Sequence, residues 1–414
     1  MRKILYISYF APYDRVDHAG GKVHNFYIKN LQREEDCDVT LLTMCYQRET
    51  EKLDLEQYGI RHRLVVLDKT PLQKYVRMFF SGFSYYNPWD SYGGILLNYE
   101  RYQLKKMIAR YAAEEEKPDL IILQWTQIIL LMPFVRKLYP DVKIAAIEED
   151  VLFLNFYRRI GLAQNRWSRK AASYQYRNLR KKELAALHAA EQIVVNNGKD
   201  AALLVENEIP KDKIFTSSVY FEKYWSVDRK QADGCADDGK TCHDILFYGA
   251  MHREENHISA LWFIRNVLPV LPERFRFIIV GARPRQELLA LQSDRVQILG
   301  FVEDIAPYFA SAFCLAASLM LGAGIKVKVL EAMSAGVPVL TNEIGIEGIG
   351  CEKGREYWHC ETAGQYADAL MWMESHPRET KQIAENGRNY IKENFDLQKK
   401  YEELVQIWRD MTAS

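Results

Sequence analysis

Residues 319–342 read LMLGAGIKVKVLEAMSAGVPVLTN, and the order of residue types in them indicates a parallel sheet. The apolar run FCLAAS, residues 313–318, leads into a glycine-containing turn, and a helix is expected from about residue 325 to residue 335. The apolar run VPVLTN then begins a new strand. A helix between two buried strands is the repeating unit of a parallel α/β sheet.

The same alternation continues along the whole chain. The other short apolar runs, each separated by a helix-length segment, are KILYISYF, DVTLLTM, RLVVL, DLIILQW, KIAAIEE, QIVVNN, DILFYGA, RFIIVGA and VQILGF. Continuous apolar runs of this length are typical of strands that are covered on both faces. We therefore expect an α/β chain with two doubly wound, Rossmann-like domains.

A polar, glycine-containing segment without apolar periodicity separates the two sets of strands. It covers residues 226–243 and is interpreted as a linker between a first domain, residues 1–225, and a second domain, residues 244–394. Residues 395–414 have apolar side chains spaced for one buried helix face, and we expect this helix to return to the first domain.

Composition excludes several classes of protein. The 414 residues contain 55 Lys and Arg against 55 Asp and Glu, so the total charge does not favour nucleic-acid binding. The seven cysteines form no C-x-x-C pair, and we expect no disulfide and no metal site. No apolar run reaches the roughly 18 residues that span a bilayer, and the amino terminus does not have the pattern of a signal peptide. We therefore expect a cytoplasmic protein.

The charged residues at the start of the helix near residue 325 indicate a nucleotide site. Free backbone amides at a helix start stabilise phosphate, and Gly322 and Gly324 would let the backbone approach it. Lys326 and Lys328 would add positive charge for a diphosphate, and Glu331 would accept hydrogen bonds from ribose hydroxyls. The alternative is a packed helix with its lysines in solvent.

The segment GAGIKVKVLEAMSAGVPVLTNEIGIEGI resembles the carboxyl-terminal signature of the retaining glycosyltransferases of family 4. ILFYGAMHREENHISALWFIRNVLPVL is similar to the first strand and helix of that family's second domain, and VQILGFVEDIAPYFASA to the segment around its nucleobase pocket. ISYFAPYDRVDHAGGKVHNFYIKNLQ is similar to its glycine-rich acceptor-side loop. The resemblance implies a GT-B fold, in which two Rossmann-like domains face each other across a cleft.

The resemblance also implies binding residues. Glu331 matches the second glutamate of the family's Glu-x7-Glu motif, which binds ribose, whereas Ala323 stands in the position of the first glutamate. Arg253 matches a basic residue in the first loop of the second domain. Gly20 and Gly21 match a glycine pair that approaches the donor phosphate, although an ordinary loop turn would also explain them.

Catalytic residues follow from the same comparison. The family presents a histidine to the donor sugar after the strand KIAAIEE, where this chain has Glu149 and Asp150. Either residue could take that role, or could cap the helix that follows. Lys328 would stabilise the negative charge that grows on the leaving diphosphate. The resemblance implies sugar transfer with retention, without a metal ion and without a cofactor other than the sugar nucleotide.

The expected function is transfer of a sugar from a UDP- or GDP-sugar to a glycan or lipid-linked acceptor in the synthesis of surface polysaccharide or another glycoconjugate. The alternatives are another GT-B enzyme, such as a sugar-nucleotide epimerase or a phosphorylase, and a catalytically degenerate partner protein. A nucleic-acid partner is not expected.

Two segments of the first domain combine basic and aromatic residues, namely residues 71–94 and residues 158–182. This composition suits attachment to an anionic membrane surface at the inner face of the plasma membrane. The alternatives are aromatic residues in the core of the domain and a solvated basic helix face.

Overall fold

The structure is a computed structural model. It describes the whole chain except residues 15, 17, 18, 86, 88, 89, 91, 93, 162, 164, 230–242, 323 and 414. Most of the predicted linker and Ala323 therefore lie outside the described residues. The chain divides into two compact units, the first formed by Met1–Tyr220 with Leu397–Ser414 and the second by Phe221–Asp396.

Each unit contains one sheet in which all described strand pairs are parallel. The strands of the first sheet are β1 (Arg2–Ser8), β2 (Cys37–Tyr46), β3 (Arg61–Leu67), β4 (Leu120–Gln124), β5 (Lys143–Glu148), β6 (Gln192–Val195) and β7 (Ile214–Thr216). Those of the second are β8 (His243–Tyr248), β9 (Phe275–Val280), β10 (Val296–Gly300), β11 (Cys314–Ala317), β12 (Val339–Thr341) and β13 (Trp358–His359). Their spatial orders are β3-β2-β1-β4-β5-β6-β7 and β10-β9-β8-β11-β12-β13.

Helices connect the strands. They are α1 (Ala19–Arg33), α2 (Pro71–Tyr85), α3 (Asn98–Glu114), α4 (Thr126–Ile129), α5 (Met132–Leu138), α6 (Leu152–Gly161), α7 (Arg166–His188), α8 (Gly198–Glu206), α9 (Glu254–Asn266), α10 (Gln286–Leu289), α11 (Ala306–Ser311), α12 (Val327–Ser334), α13 (Glu343–Ile346), α14 (Ala363–Ser375), α15 (Pro377–Asn394) and α16 (Leu397–Ala413). None of the described helices is long and apolar enough to cross a membrane.

The predicted fold class is confirmed, since both units are Rossmann-like domains with parallel sheets. Every apolar run quoted above forms a strand. The sequence patterns missed β7 and β13, which have three and two residues and are too short to show a pattern. Because the strands of each sheet are parallel, their carboxyl ends lie at one edge, where α/β proteins place ligands.

The last helix, α16, belongs to the first unit. Its Tyr401, Leu404 and Trp408 are buried on one face, in the same apolar cluster as Tyr27 and Ile122. The rings of Tyr401 and Tyr27 are stacked with their centroids 6.1 Å apart. The spacing of these residues by three and four positions explains why this segment forms a helix with one apolar face.

Candidate active site

Lys328 lies in the first turn of α12, which begins two residues later than expected. Its ammonium group donates a hydrogen bond to Asn256 Oδ1 over 2.6 Å and lies 4.6 Å from the centre of the Phe247 ring. The interpretation that this lysine extends into solvent is therefore wrong. Burial lowers the pKa of Lys328 to about 7, because the charged form loses its hydration.

A close approach of the backbone at the end of β8 makes room for Lys328. Gly249 has a φ of 144°, and a Cβ on it would lie 2.8 Å from Asn256 Nδ2 and 3.0 Å from Lys328 Nζ. Any larger residue at this position would displace both groups. The sequence patterns indicated neither Asn256 nor Gly249 as a site residue, since the contacts join α9, β8 and α12, which are distant in sequence.

Glu331 lies one turn further along α12, and two donors orient its carboxylate. The Tyr248 hydroxyl donates to Glu331 Oε2 over 2.6 Å, and the backbone amide of Glu222 donates to Oε1 over 3.3 Å. Burial and the charge of Glu331 keep the pKa of Tyr248 well above its usual range, so the phenol remains a donor. Tyr248 was not predicted, because it is the last residue of an otherwise apolar strand.

The remaining predicted residues of the second unit lie on the loops beside this cluster. Gly322 and Gly324 lie in the loop before α12 with positive φ angles of 139° and 70°. Lys326 occupies the N-cap position of α12, and its ammonium group donates to the carbonyl oxygen of Gly324. Arg253 occupies the N-cap position of α9 and is exposed. Positive charge on Lys326 and Arg253 lowers the pKa of Lys328 further.

A second cluster forms in the first unit, at the carboxyl edge of its sheet. Glu149 follows β5 and accepts hydrogen bonds of 2.6 Å from Gln124 Nε2 at the end of β4 and from Asn196 Nδ2 after β6. Burial raises the pKa of Glu149 to about 7, and the charge of Asp150 adds to this effect. Gln124 and Asn196 were not predicted, because single polar residues after strands are common.

The helix-capping alternative for Glu149 and Asp150 is wrong. Helix α6 begins at Leu152, and its first two amides donate to the Glu183 carboxylate over 2.8 and 3.0 Å. Glu183 belongs to α7 and is fully buried. Asp150 is exposed, so only Glu149 has a position within the buried hydrogen-bonded cluster.

The predicted glycine pair lies in a helix and not in a loop. Gly20 and Gly21 are part of the first turn of α1. A Cβ on Gly20 would lie 3.3 Å from Trp125 Nε1 and 3.5 Å from the Glu149 carboxyl group, so the helix start lies directly beside this cluster. The ordinary-turn interpretation is therefore wrong.

Trp125 is an unusual residue in this cluster. It has a φ of 72° and a ψ of 145°, a conformation that L-residues rarely adopt. Its ring is buried and makes edge contacts with Phe10 and His24 at centroid distances of 5.1 and 4.9 Å. The surrounding contacts hold the strained backbone between Gln124 and α4. No sequence pattern predicted this conformation.

One group of side chains with metal-ligating atoms occurs among the described residues. Atoms of Glu343, His359 and Glu361 lie within 4.8 Å of one another, although the sequence predicted no metal site. His359 Nε2 lies 3.1 Å from Glu361, and both glutamates are exposed. This geometry is equally that of an ordinary surface ion pair.

Comparisons with known proteins give one family match and a set of similar folds. Residues 242–375 match the family model described as "Glycosyl transferases group 1". This segment contains every residue described above around Lys328 and Glu331 except Glu222. No curated protein sequence matches the chain.

Three solved structures illustrate the similarity of fold. HepE from Anabaena in complex with UDP has a TM-score of 0.65 and 12% identity, with 99% of this chain and 100% of that chain covered. The same protein with UDP-glucose has a TM-score of 0.62 and 13% identity, with the same coverage. Sucrose-phosphate synthase from Thermosynechococcus elongatus has a TM-score of 0.64 and 14% identity, with 100% of both chains covered. The chain therefore has the GT-B fold.

Proposed function

We propose that this protein is a retaining glycosyltransferase of family 4. It transfers a sugar from a UDP- or GDP-sugar to a glycan or lipid-linked acceptor during synthesis of surface polysaccharide or a related glycoconjugate. The observation that carries the proposal is the Lys328–Asn256 contact beside the oriented carboxylate of Glu331. Both lie in the segment that matches the glycosyl transferase model. The UDP and UDP-glucose bound by HepE support a nucleotide-sugar donor.

In this proposal the second unit binds the nucleotide. Lys328 pairs with the diphosphate, and Lys326, Arg253 and the amides of the loop around Gly322 add positive potential. Glu331 accepts hydrogen bonds from ribose hydroxyls. The hydrogen bond from Tyr248 to one of its oxygens orients the carboxylate for this role. Asn256 holds the Lys328 ammonium group in place before the phosphate arrives, so that less ordering is needed on binding.

The chemistry is stabilisation of a leaving group. As the bond from the sugar to the diphosphate breaks, negative charge grows on the phosphate oxygen, and a fixed ammonium group stabilises the transition state more than the ground state. The leaving diphosphate accepts the proton of the acceptor hydroxyl on the same face of the sugar. Glu149 has the role of binding a hydroxyl of the transferred sugar, and the amides of Gly20 and Gly21 approach the donor phosphate. The proposed reaction needs no metal ion.

The proposal is tested by nucleotide binding and transfer with Lys328→Ala and a matched control. Lys381→Ala removes a lysine of the same unit that is 74% exposed. We expect Lys328→Ala to weaken UDP or GDP binding about 10–100-fold in calorimetry, in line with the loss of a charge-assisted contact, and the control to leave it unchanged.

Three results distinguish the proposal from its alternatives. If no nucleotide raises the melting temperature and Glu331→Ala transfers sugar as well as wild type does, the proposal is wrong. Nucleotide binding without transfer to any acceptor would favour the catalytically degenerate partner protein. Conversion of the sugar nucleotide without transfer of its sugar to an acceptor would favour an epimerase.

A further inference from the structure

Helix α2 (Pro71–Tyr85) exposes apolar side chains that an ordinary surface helix would bury. Its large apolar side chains are exposed, with 72% of Leu72, 70% of Tyr75 and 64% of Phe79 accessible, and Met78 and Phe80 are about half exposed. Its Arg77 side chain is only 15% exposed. A helix beside water normally buries its apolar face and exposes its charges. The alternative that the aromatic residues of this segment belong to the core is therefore wrong for Tyr75, Phe79 and Phe80. The side chains of Phe83, Tyr85, Tyr86 and Trp89 lie outside the described residues.

The orientation of α2 is fixed by specific contacts. Arg77 donates two parallel hydrogen bonds of 2.8 Å to the Asp68 carboxylate, which lies just before the helix. The guanidinium carbon lies 5.3 Å from the centre of the Tyr46 ring, and Arg77 Nη1 lies 4.0 Å from Glu100 Oε1. A bidentate pair of this kind specifies geometry as well as charge. The apolar face is thus held outward by a partly buried ion pair.

Lysines accompany the exposed apolar residues. A groove of about 500 Å³ at the start of α2 is lined by Asp68, Lys69, Thr70, Pro71, Lys74, Tyr75 and Met78. The Asp68 carboxylate is already paired with Arg77, so the remaining charge in the groove is positive. Positive charge next to exposed aromatic and aliphatic groups matches the phosphate and acyl layers of an anionic bilayer.

The hairpin of α6 and α7 repeats this combination. Residues 158–182 contain nine Lys and Arg and no Asp or Glu. At its tip, Trp167 is 74% exposed. Tyr157, in the middle of α6, is 57% exposed, and its ring lies 5.4 Å from that of Tyr176 in α7. The alternative of one solvated helix face does not hold for the whole segment, because α6 ends at Gly161 and α7 begins at Arg166.

The lengths of the elements place the hairpin tip. Helix α7 has 23 residues and is about 35 Å long, whereas β5 has six residues and is about 20 Å long. Helix α7 ends just before β6 begins, at the amino edge of the sheet, so its first turns extend beyond the carboxyl edge. The exposure of every residue from Arg166 to Lys170 agrees with this. Helix α2 also starts at the carboxyl edge, because it follows β3.

We propose that α2 and the tip of the α6–α7 hairpin form an attachment surface for an anionic lipid bilayer. The exposed side chains of α2 insert among the acyl chains, and the surrounding lysines and arginines lie at the lipid phosphates. The basic charge favours this occupant over a second copy of the chain, because two copies of the same basic surface repel each other. The inference goes beyond sugar transfer and does not depend on it.

The test is flotation of the full-length protein with vesicles. One set contains phosphatidylcholine and phosphatidylglycerol at a ratio of 7:3, and the other phosphatidylcholine alone. We expect binding to the anionic vesicles at low salt and loss of most of it at high salt. Phe79→Ser with Phe80→Ser should reduce the partition coefficient at least tenfold, and Arg166→Glu with Arg169→Glu should do the same. Val270→Ser, at a residue of the second unit that is 64% exposed, should change nothing.

Three results would overturn the proposal. The first is absence of wild-type binding to the anionic vesicles at low salt. The second is binding that both double variants retain. The third is a dimer in light scattering that the α2 variant dissociates, which would identify a second copy as the occupant. Melting temperature and nucleotide binding of the variants serve as controls for folding, and they keep this test separate from that of the proposed sugar transfer.

Discussion

At the scale of single residues, Lys328 makes nucleotide binding dependent on pH. Its pKa of about 7 should rise when a diphosphate binds, because the anion stabilises the ammonium form. Binding above pH 7 then requires the uptake of one proton. We expect the Kd for UDP to be constant below pH 7 and to rise about tenfold per pH unit above it.

Calorimetry between pH 6 and pH 9, in buffers with different ionisation enthalpies, measures this proton uptake directly. Lys328→Met should bind UDP more weakly and remove the slope above pH 7. A slope that persists in that variant would assign the proton to another group.

Glu149 should make the stability of the first unit depend on pH. Burial raises its pKa from the usual 4.5 to about 7, so the folded state binds this proton more tightly than the unfolded state does. The contribution of Glu149 to the free energy of unfolding should therefore be largest below about pH 4.5 and fall by about 1–3 kcal/mol as the pH rises to 7. Chemical denaturation at several pH values measures the change.

Glu149→Gln is the control for this effect. The amide cannot titrate, so the slope assigned to Glu149 should disappear. The amide offers only one acceptor oxygen to the two donors, Gln124 and Asn196. An unchanged slope between pH 4.5 and pH 7 would show that another group titrates there.

At the scale of elements, a buried carboxyl group joins α6 to α7. Glu183 accepts the first two amides of α6, one on each carboxyl oxygen, and burial raises the pKa of this carboxyl group. Glu183→Ala should cost about 2–4 kcal/mol, since two buried amides lose their acceptor. Hydrogen exchange at Leu152 and Phe153 should increase. Glu183→Gln retains an acceptor oxygen and should cost much less; equal losses in both variants would contradict this explanation.

The elements show what the sequence can predict. The longer strands were predicted because each is a continuous apolar run, and the α12 cluster because Lys326, Lys328 and Glu331 lie close together in sequence. Asn256, Gln124 and Asn196 were missed, because their partners belong to other elements. The outward orientation of α2 was also not predictable, since a helical period does not show which face is buried when the anchor is an ion pair such as Arg77–Asp68.

At the scale of the whole molecule, α16 completes the core of the first unit from the other end of the chain. Trp408 is 1% exposed within that core. Trp408→Ala should lower the free energy of unfolding of the first unit by about 3–5 kcal/mol, because a large cavity replaces the indole. Calorimetry or denaturant titration should show the first unit's transition shifted and that of the second unit unchanged. Gln406→Ala on the exposed side of α16 is the control, and a loss confined to the second unit would contradict the prediction.

The position of α16 also has a consequence for biosynthesis. The second unit is one continuous segment, Phe221–Asp396, so all of it has been synthesised before α16 is made. The first unit is translated earlier but lacks one wall of its core until the last helix appears. During that interval the apolar surface around Tyr27 and Ile122 is uncovered and open to chaperones or aggregation. The domain that is synthesised first is therefore the one that finishes folding last.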